Sequence, residues 1–217
     1  MLTMRLHGAM SILGAALLVL LAGHQQFVSA QSESAPEVSQ NNGTLYAACK
    51  MRPSTMLPDS LPKVYGQVVF KQQYPVGKLQ VLVRINGFPT DDNPRPRAVH
   101  IHQYGDLSQG CDSTGGHYNP HDVHHPNHPG DFGNFEPQEG KINAMLESEA
   151  TLFGALSVIG RAVVVHEKTD DLGLGGDAGS LLHGNAGRRL GCCIIGISSV
   201  KPWNTHHKLY NRRMRRN

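Results

Sequence analysis

Seven of the thirteen histidines fall between His100 and His128, a density that calls for a chemical explanation. His100-Ile101-His102 lies in an apolar, β-rich run. A strand's period of two sends both imidazoles to one face and Ile101 to the other. Two imidazoles on one face can chelate a borderline transition metal. A second block follows: His117-Tyr118-Asn119-Pro120, then His125-Pro126-Asn127-His128-Pro129-Gly130-Asp131. Three imidazoles and a carboxylate at close spacing, stiffened by prolines, match the four-coordinate N/O environment that zinc prefers. Asp131-Phe132-Gly133-Asn134 reads as a compact turn that fixes the carboxylate.

These groups need a scaffold that holds them still. Val64–Phe70, Leu79–Ile85, Ala98–His102, Ile142–Leu146, Arg161–His166 and Cys193–Ile197 are β-rich runs. The 24 glycines and 13 prolines divide them, and no segment shows a helical stripe over three turns. An antiparallel β-sandwich or barrel is expected. Residues 103–141 and 167–192 interrupt the strand rhythm as two long polar, glycine-rich loops that hold nearly all the chemistry, and long loops in a compact domain are functional or disordered. Residues 31–48 are polar without amphipathic period and read as a flexible arm.

The chain opens with Arg5 as its only early charge, an apolar run from Ala9 to Ala22, and Val28-Ser29-Ala30 before Gln31. That order predicts a secretory signal peptide over 1–30, with an apolar run too short to span a bilayer. No later stretch is expected to cross a membrane. Cleavage there would remove one of the 20 Lys+Arg and none of the 17 Asp+Glu. Five bases (Lys208, Arg212, Arg213, Arg215 and Arg216) sit in the last ten residues with no acid, so an acidic body carries a basic tail. In an oxidising compartment the four cysteines are expected to pair. Cys192 and Cys193 are adjacent and poorly placed to bond each other, which leaves Cys49 and Cys111 to share them in either of two ways. Asn42-Gly43-Thr44 is a glycosylation sequon at Asn42.

The run Ala98-Val99-His100-Ile101-His102-Gln103-Tyr104-Gly105-Asp106 resembles one signature of copper/zinc superoxide dismutases. Gly184-Asn185-Ala186-Gly187-Arg188-Arg189-Leu190-Gly191-Cys192 resembles the other. Gly110-Cys111 to Gly133-Asn134 and Val163-Val164-Val165-His166-Glu167-Lys168 fit between them in the family's order. Tyr46-Ala47-Ala48-Cys49, the Cys192-Cys193 doublet and the basic C-terminus are similar to the secreted, extracellular branch. The resemblance spans about residues 62–200.

What the resemblance implies is specific. The fold is all-β, a Greek-key antiparallel β-sandwich or barrel with two long functional loops. One copper ion per subunit is held by His100, His102, His117 and His166, and one zinc ion by His117, His125, His128 and Asp131, with His117 bridging. Arg189 is the guanidinium beside copper, and Asp170 the carboxylate linking the two metal groups from behind. The cysteines pair Cys111–Cys192 and Cys49–Cys193. The activity is conversion of superoxide to dioxygen and hydrogen peroxide, with Arg189 and His117 catalytic. The expected organisation is a signal peptide (1–30), an N-terminal arm (31–61), the dismutase domain (62–203) and a basic tail (204–217), assembled as a homodimer in the extracellular space.

The sequence also departs from intracellular relatives, which place more charge in the loop between Asp170 and Gly184. Here, within Gly176–His183, Asp177 alone remains and His183 stands near the channel rim, leaving Arg189 with more of the guidance. His121 and His124 are extra, solvated imidazoles. Non-enzymatic members of such a fold lose a copper ligand or the arginine; this sequence keeps both. The tail is expected to tether the protein to a heparan-sulfate-like polyanion. Nucleic acid is not an expected partner of a secreted chain without an aromatic stacking set.

Overall fold

Alternation along the β-rich runs decides which side chains face inward, and two sheets close over them. The computed structural model describes residues 35–90 and 94–215; the signal peptide expected over 1–30 lies outside these. The first sheet contains β1 (Thr44–Cys49), β3 (Tyr65–Gln73), β4 (Leu79–Asn86), β8 (Lys141–Ser148) and β11 (Gly196–Ile197), in the order β11-β1-β3-β4-β8. The second contains β2 (Arg52–Pro53), β5 (Arg97–His102), β7 (Asp131–Phe135), β9 (Ala162–His166) and β10 (Arg189–Ile194), in the order β2-β10-β9-β5-β7. β6 (Ser108–Cys111) lies in the first long loop. All pairings between these strands are antiparallel. The sheets remain separate among the described residues, so the architecture is the sandwich and not a closed barrel.

Val68, Phe70, Val81, Val83 and Ile85 from the first sheet meet Val99, Ile101, Val163, Val165 and Leu190 from the second in one buried core. At about 25 cal/mol per Å² of apolar surface removed from water, this interleaving is the main source of stability. Cys49 and Cys193 are bonded within the core and tie the two sheets together, with Cα atoms 5.3 Å apart. The neighbouring Cys192 points the other way along β10 and bonds Cys111, Cα to Cα 5.7 Å, on the outer face.

Two segments differ from the sequence reading. Residues 31–48 are not simply a flexible arm: α1 (Pro36–Gln40) precedes β1, which pairs with β3 from Thr44↔Gln73 to Cys49↔Val68. Its inward set is only Leu45, Ala47 and Cys49, too short an alternation to stand out beside the polar stretch before it. The basic tail is also ordered, forming α3 (Val200–Met214). Its buried contact is made by Trp203, with Tyr210 beside it, against Val69 and Leu82. Two aromatics seven residues apart make too sparse a stripe to read as amphipathic.

Candidate metal centre

The outer face of the second sheet is the floor of the site. Val99, Ile101, Val163 and Val165 turn inward, so His100 and His102 of β5 and His166 of β9 project from the opposite face. The first loop then doubles back on β5. The Gln103 amide donates to the Gly116 carbonyl (2.9 Å) and the Tyr118 amide to the Ile101 carbonyl (2.9 Å). This added strip sets His117 opposite His102, ring centroids 5.0 Å apart, and 4.2 Å from His100.

An imidazole that donates through one nitrogen presents a bare lone pair at the other. His102 Nδ1 donates to the Gly115 carbonyl (2.9 Å) and His166 Nδ1 to the Gly187 carbonyl (3.4 Å). Their Nε2 atoms are therefore bare and stand 3.2 Å apart. Two lone pairs face to face repel unless a cation lies between them. His100 donates through Nε2 to Asp170 Oδ2 (2.9 Å), and its buried Nδ1 has no partner; neither has His117 Nε2. The four rings are buried and their ligand atoms lie within 4.8 Å of one another.

The second group closes around Asp131. Its Oδ1 lies 3.0 Å from His117 Nδ1, and its Oδ2 lies 2.9 Å from His125 Nδ1 and 3.0 Å from His128 Nδ1. The last two contacts are close yet lack hydrogen-bond geometry, leaving both nitrogens unpartnered. From behind, His125 Nε2 donates to Asp170 Oδ1 (2.7 Å) and His128 Nε2 to the Val123 carbonyl (3.0 Å). Asp170 thus joins the two groups through His100 and His125. The Asn134 side chain clamps the Asp170 backbone at both ends, its amide reaching the carbonyl and its oxygen the N–H, each at 2.8 Å.

The electrostatics favour bare imidazoles at His102, His117 and His166. Burial holds His102 and His166 well below the usual histidine range, and each is pushed further down by neighbouring histidines. Burial also brings His117 to about 4 despite its contact with Asp131. At His125 burial acts downward, but Asp131 and Asp170 outweigh it and raise the ring to about 9. Burial would raise Asp131, but its contacts with His117, His125 and His128 win and hold it far below the carboxylate range.

Arg189 enters beside these rings through an irregularity in β10. It pairs with His166, and the register shifts before Gly191. Bulges commonly re-aim a side chain in this way. One amino group, Nη1, donates to the Cys111 carbonyl (2.9 Å), the Asp112 carbonyl (3.2 Å) and Thr114 Oγ1 (3.0 Å). The Cys111–Cys192 bond therefore fixes the segment that holds the guanidinium. Arg189, His102, His117 and His166 line an open cavity of about 810 Å³.

One imidazole common to an all-nitrogen group and an N₃O group sets two candidate metal sites side by side. The donor sets suit copper, which imidazoles accommodate, and tetrahedral zinc. The family model described as copper/zinc superoxide dismutase matches residues 64–195, and the chain belongs to that family of oxidoreductases acting on superoxide. It is 48% identical over 177 residues to the extracellular superoxide dismutase [Cu-Zn] of Homo sapiens, covering 81% of this chain and 74% of the relative. Identity to the protein of the same name from Oryctolagus cuniculus is 51% over 162 residues, 74% and 66% of the two chains. A superoxide dismutase [Cu-Zn] of Podospora anserina is 44% identical over 145 residues, 63% of this chain and 92% of that one.

His121 and His124 are exposed and stand outside both metal groups. His183 lies at the end of α2 (Ala178–His183) and, like His124, lines the cavity. Asp177 has its oxygens occupied by the Ser180 amide (3.0 Å) and Asn185 Nδ2 (3.0 Å), so it caps α2 as well as carrying charge. Asn42 is exposed at the turn before β1. Lys208, Arg212 and Arg215 share one face of α3, Arg213 is half-buried, and Arg216 lies outside the described residues.

Sequence reasoning missed the carbonyls of Gly115, Gly187 and Val123, which carry no side-chain signal. It also missed Asn134 and Gly184. Gly184 has φ +63°, and a Cβ there would stand 1.9 Å from Asp170 Oδ1 and 2.7 Å from His125 Nε2. A glycine inside a motif was the available signal.

Proposed function

We propose that this is a secreted superoxide dismutase in which His100, His102, His117 and His166 hold copper, and His117, His125, His128 and Asp131 hold zinc. The observation that carries the assignment is His117, whose buried Nε2 faces the first group while Nδ1 faces the second. When bound, copper supplies the one-electron cycle that turns one superoxide into dioxygen and a second into hydrogen peroxide. Arg189 attracts and orients the anion through N–H groups other than the pinned Nη1, a fixed charge that needs no rearrangement during reaction. His117 Nε2 is the atom that takes up and gives back a proton. Asp170 orients His100 and His125, keeping their donors outward and their lone pairs inward. Metal analysis with a dismutation assay on wild type and His117→Ala tests this. The variant should lose copper, bind zinc more weakly, and lose activity by about 100-fold or more, the scale of removing a key catalytic group. Retention of both metals and full activity would overturn the shared role.

The finer parts follow from the sequence together with the relatives' extracellular naming. The organisation is a signal peptide over 1–30, an arm over 31–61, a dismutase domain over 62–203 and a basic tail over 204–217, with Asn42 glycosylated. Pairing into a homodimer is supported by exposed Ile194 and Ile197, each 43% accessible. Light scattering on wild type and Ile194→Lys should show a dimer that dissociates in the variant. The tether to a sulfated polysaccharide would use Lys208, Arg212, Arg213, Arg215 and Arg216. Replacing all five with Gln keeps helix-forming residues and should lower the salt needed to elute the protein from heparin. Unchanged elution would remove the tether.

A further inference from the structure

The cavity beside His102, His117 and His166 is larger than a diatomic anion needs. Its volume, about 810 Å³, lies in the range of small-molecule pockets, which are apolar with a few fixed polar groups. Leu181, Leu182, Val123 and Ala186 are apolar residues lining the same cavity as Arg189. Leu181 and Leu182 remain 40% and 64% accessible. Their segment is held by the Asp177 cap of α2 and by the His125 amide donating to the Leu181 carbonyl (3.0 Å). Two adjacent leucines fixed open to solvent contribute little to the core.

Charge defines what such a wall would accept. Among the described residues, Arg189 is the single Lys or Arg lining the cavity, and Asp122 the single carboxylate. Among the described residues, the arginine's hydrogen bonds run through Nη1, and its other N–H groups could serve an anion. One cation with a carboxylate nearby suits a singly charged head better than a polyanion. We propose that the cavity binds small organic monoanions of the aliphatic carboxylate class, the carboxylate on Arg189 and the chain against Leu181 and Leu182. Superoxide and such anions would then exclude each other at Arg189. The proposal rests on the cavity walls and on Arg189, and stands apart from the assignment of copper and zinc to the two groups.

Hexanoate and formate are the probes, compared on the metal-loaded protein by ligand-observed NMR titration and by competition against superoxide. Burying a methylene is worth about 0.8 kcal/mol, roughly fourfold in affinity. Burial of even two methylenes should make hexanoate bind at least tenfold tighter than formate. In Leu182→Asn that preference should shrink severalfold while formate affinity stays the same. Equal affinities for the two anions in an active wild type would overturn the proposal alone. So would a hexanoate preference that survives Leu182→Asn undiminished. A hexanoate preference in a metal-loaded protein without dismutase activity would overturn the reading of the function and leave this one standing.

Discussion

The two outer faces of the sandwich are covered in opposite ways. On the first sheet, Ala48, Val69, Leu82 and Met145 form a continuous row across four strands, and α3 covers it with Trp203. On the second sheet the corresponding surface carries His100, His102 and His166, covered by two long loops. The first face is completed by apolar contact within the chain. On the second, four buried ring nitrogens are left without partners, a costly arrangement unless a metal completes them. One sandwich thus separates a face closed by its own chain from a face whose ring nitrogens are arranged to take metal.

Breaking the disulfide of the metal face should have the largest effect. Cys111–Cys192 encloses 81 residues of sequence separation, and the chain-entropy model assigns such a loop about 4.5 kcal/mol. Because Arg189 is pinned to the Cys111 carbonyl, Cys111→Ser should also lower kcat/KM for superoxide by about tenfold, an effect of about 1.4 kcal/mol. Denaturant unfolding and steady-state rates measure the two parts. Full activity in the variant would separate the arginine from the disulfide.

The helical face should respond in stability alone. Trp203→Ala removes the one buried side chain of α3 and should cost about 3 kcal/mol, with kcat/KM and metal content unchanged after folding. A loss of metal in this variant would show the two faces to be coupled.

The smallest effect is one of pH. In the metal-free protein His125 is raised to about 9, so its contribution to stability is full below its ordinary value of about 6.5 and fades as pH rises through 9. Asp131 is depressed, so its contribution is present above the ordinary carboxylate range and is lost as pH falls through its folded value. Metal-free protein should therefore weaken between pH 7 and 10, whereas zinc-loaded protein, with His125 deprotonated, should not. Zinc uptake at pH 7 should release a proton from His125, and calorimetry in buffers of different ionisation enthalpy would detect it. Uptake at pH 7 with no proton released would contradict the raised value.

The sequence made the strand face of His100 and His102 readable because a period of two needs no tertiary information. The 117–131 block was readable because its donors lie close together in the chain. What the sequence alone hid was contact at a distance. Nothing local at His117 indicates that the loop returns to β5, and Asp170 lies 70 positions from the ring that it orients. The pairing of Cys49 and Cys111 with the doublet was open from spacing, since it depends on which β10 side chain faces the core. The docking of α3 was hidden too, because Trp203 makes sense only beside the outward row of Val69 and Leu82.

The most direct test of the shared imidazole is to load copper(II) into both groups and record the electron paramagnetic resonance spectrum at low temperature. An imidazole shared by both groups would couple the spins of the two ions, so the intensity of isolated cupric ions should largely disappear, and should return when zinc takes the place of copper in the second group. Full intensity from two independent cupric ions in the wild type would contradict a single dinuclear site built on His117.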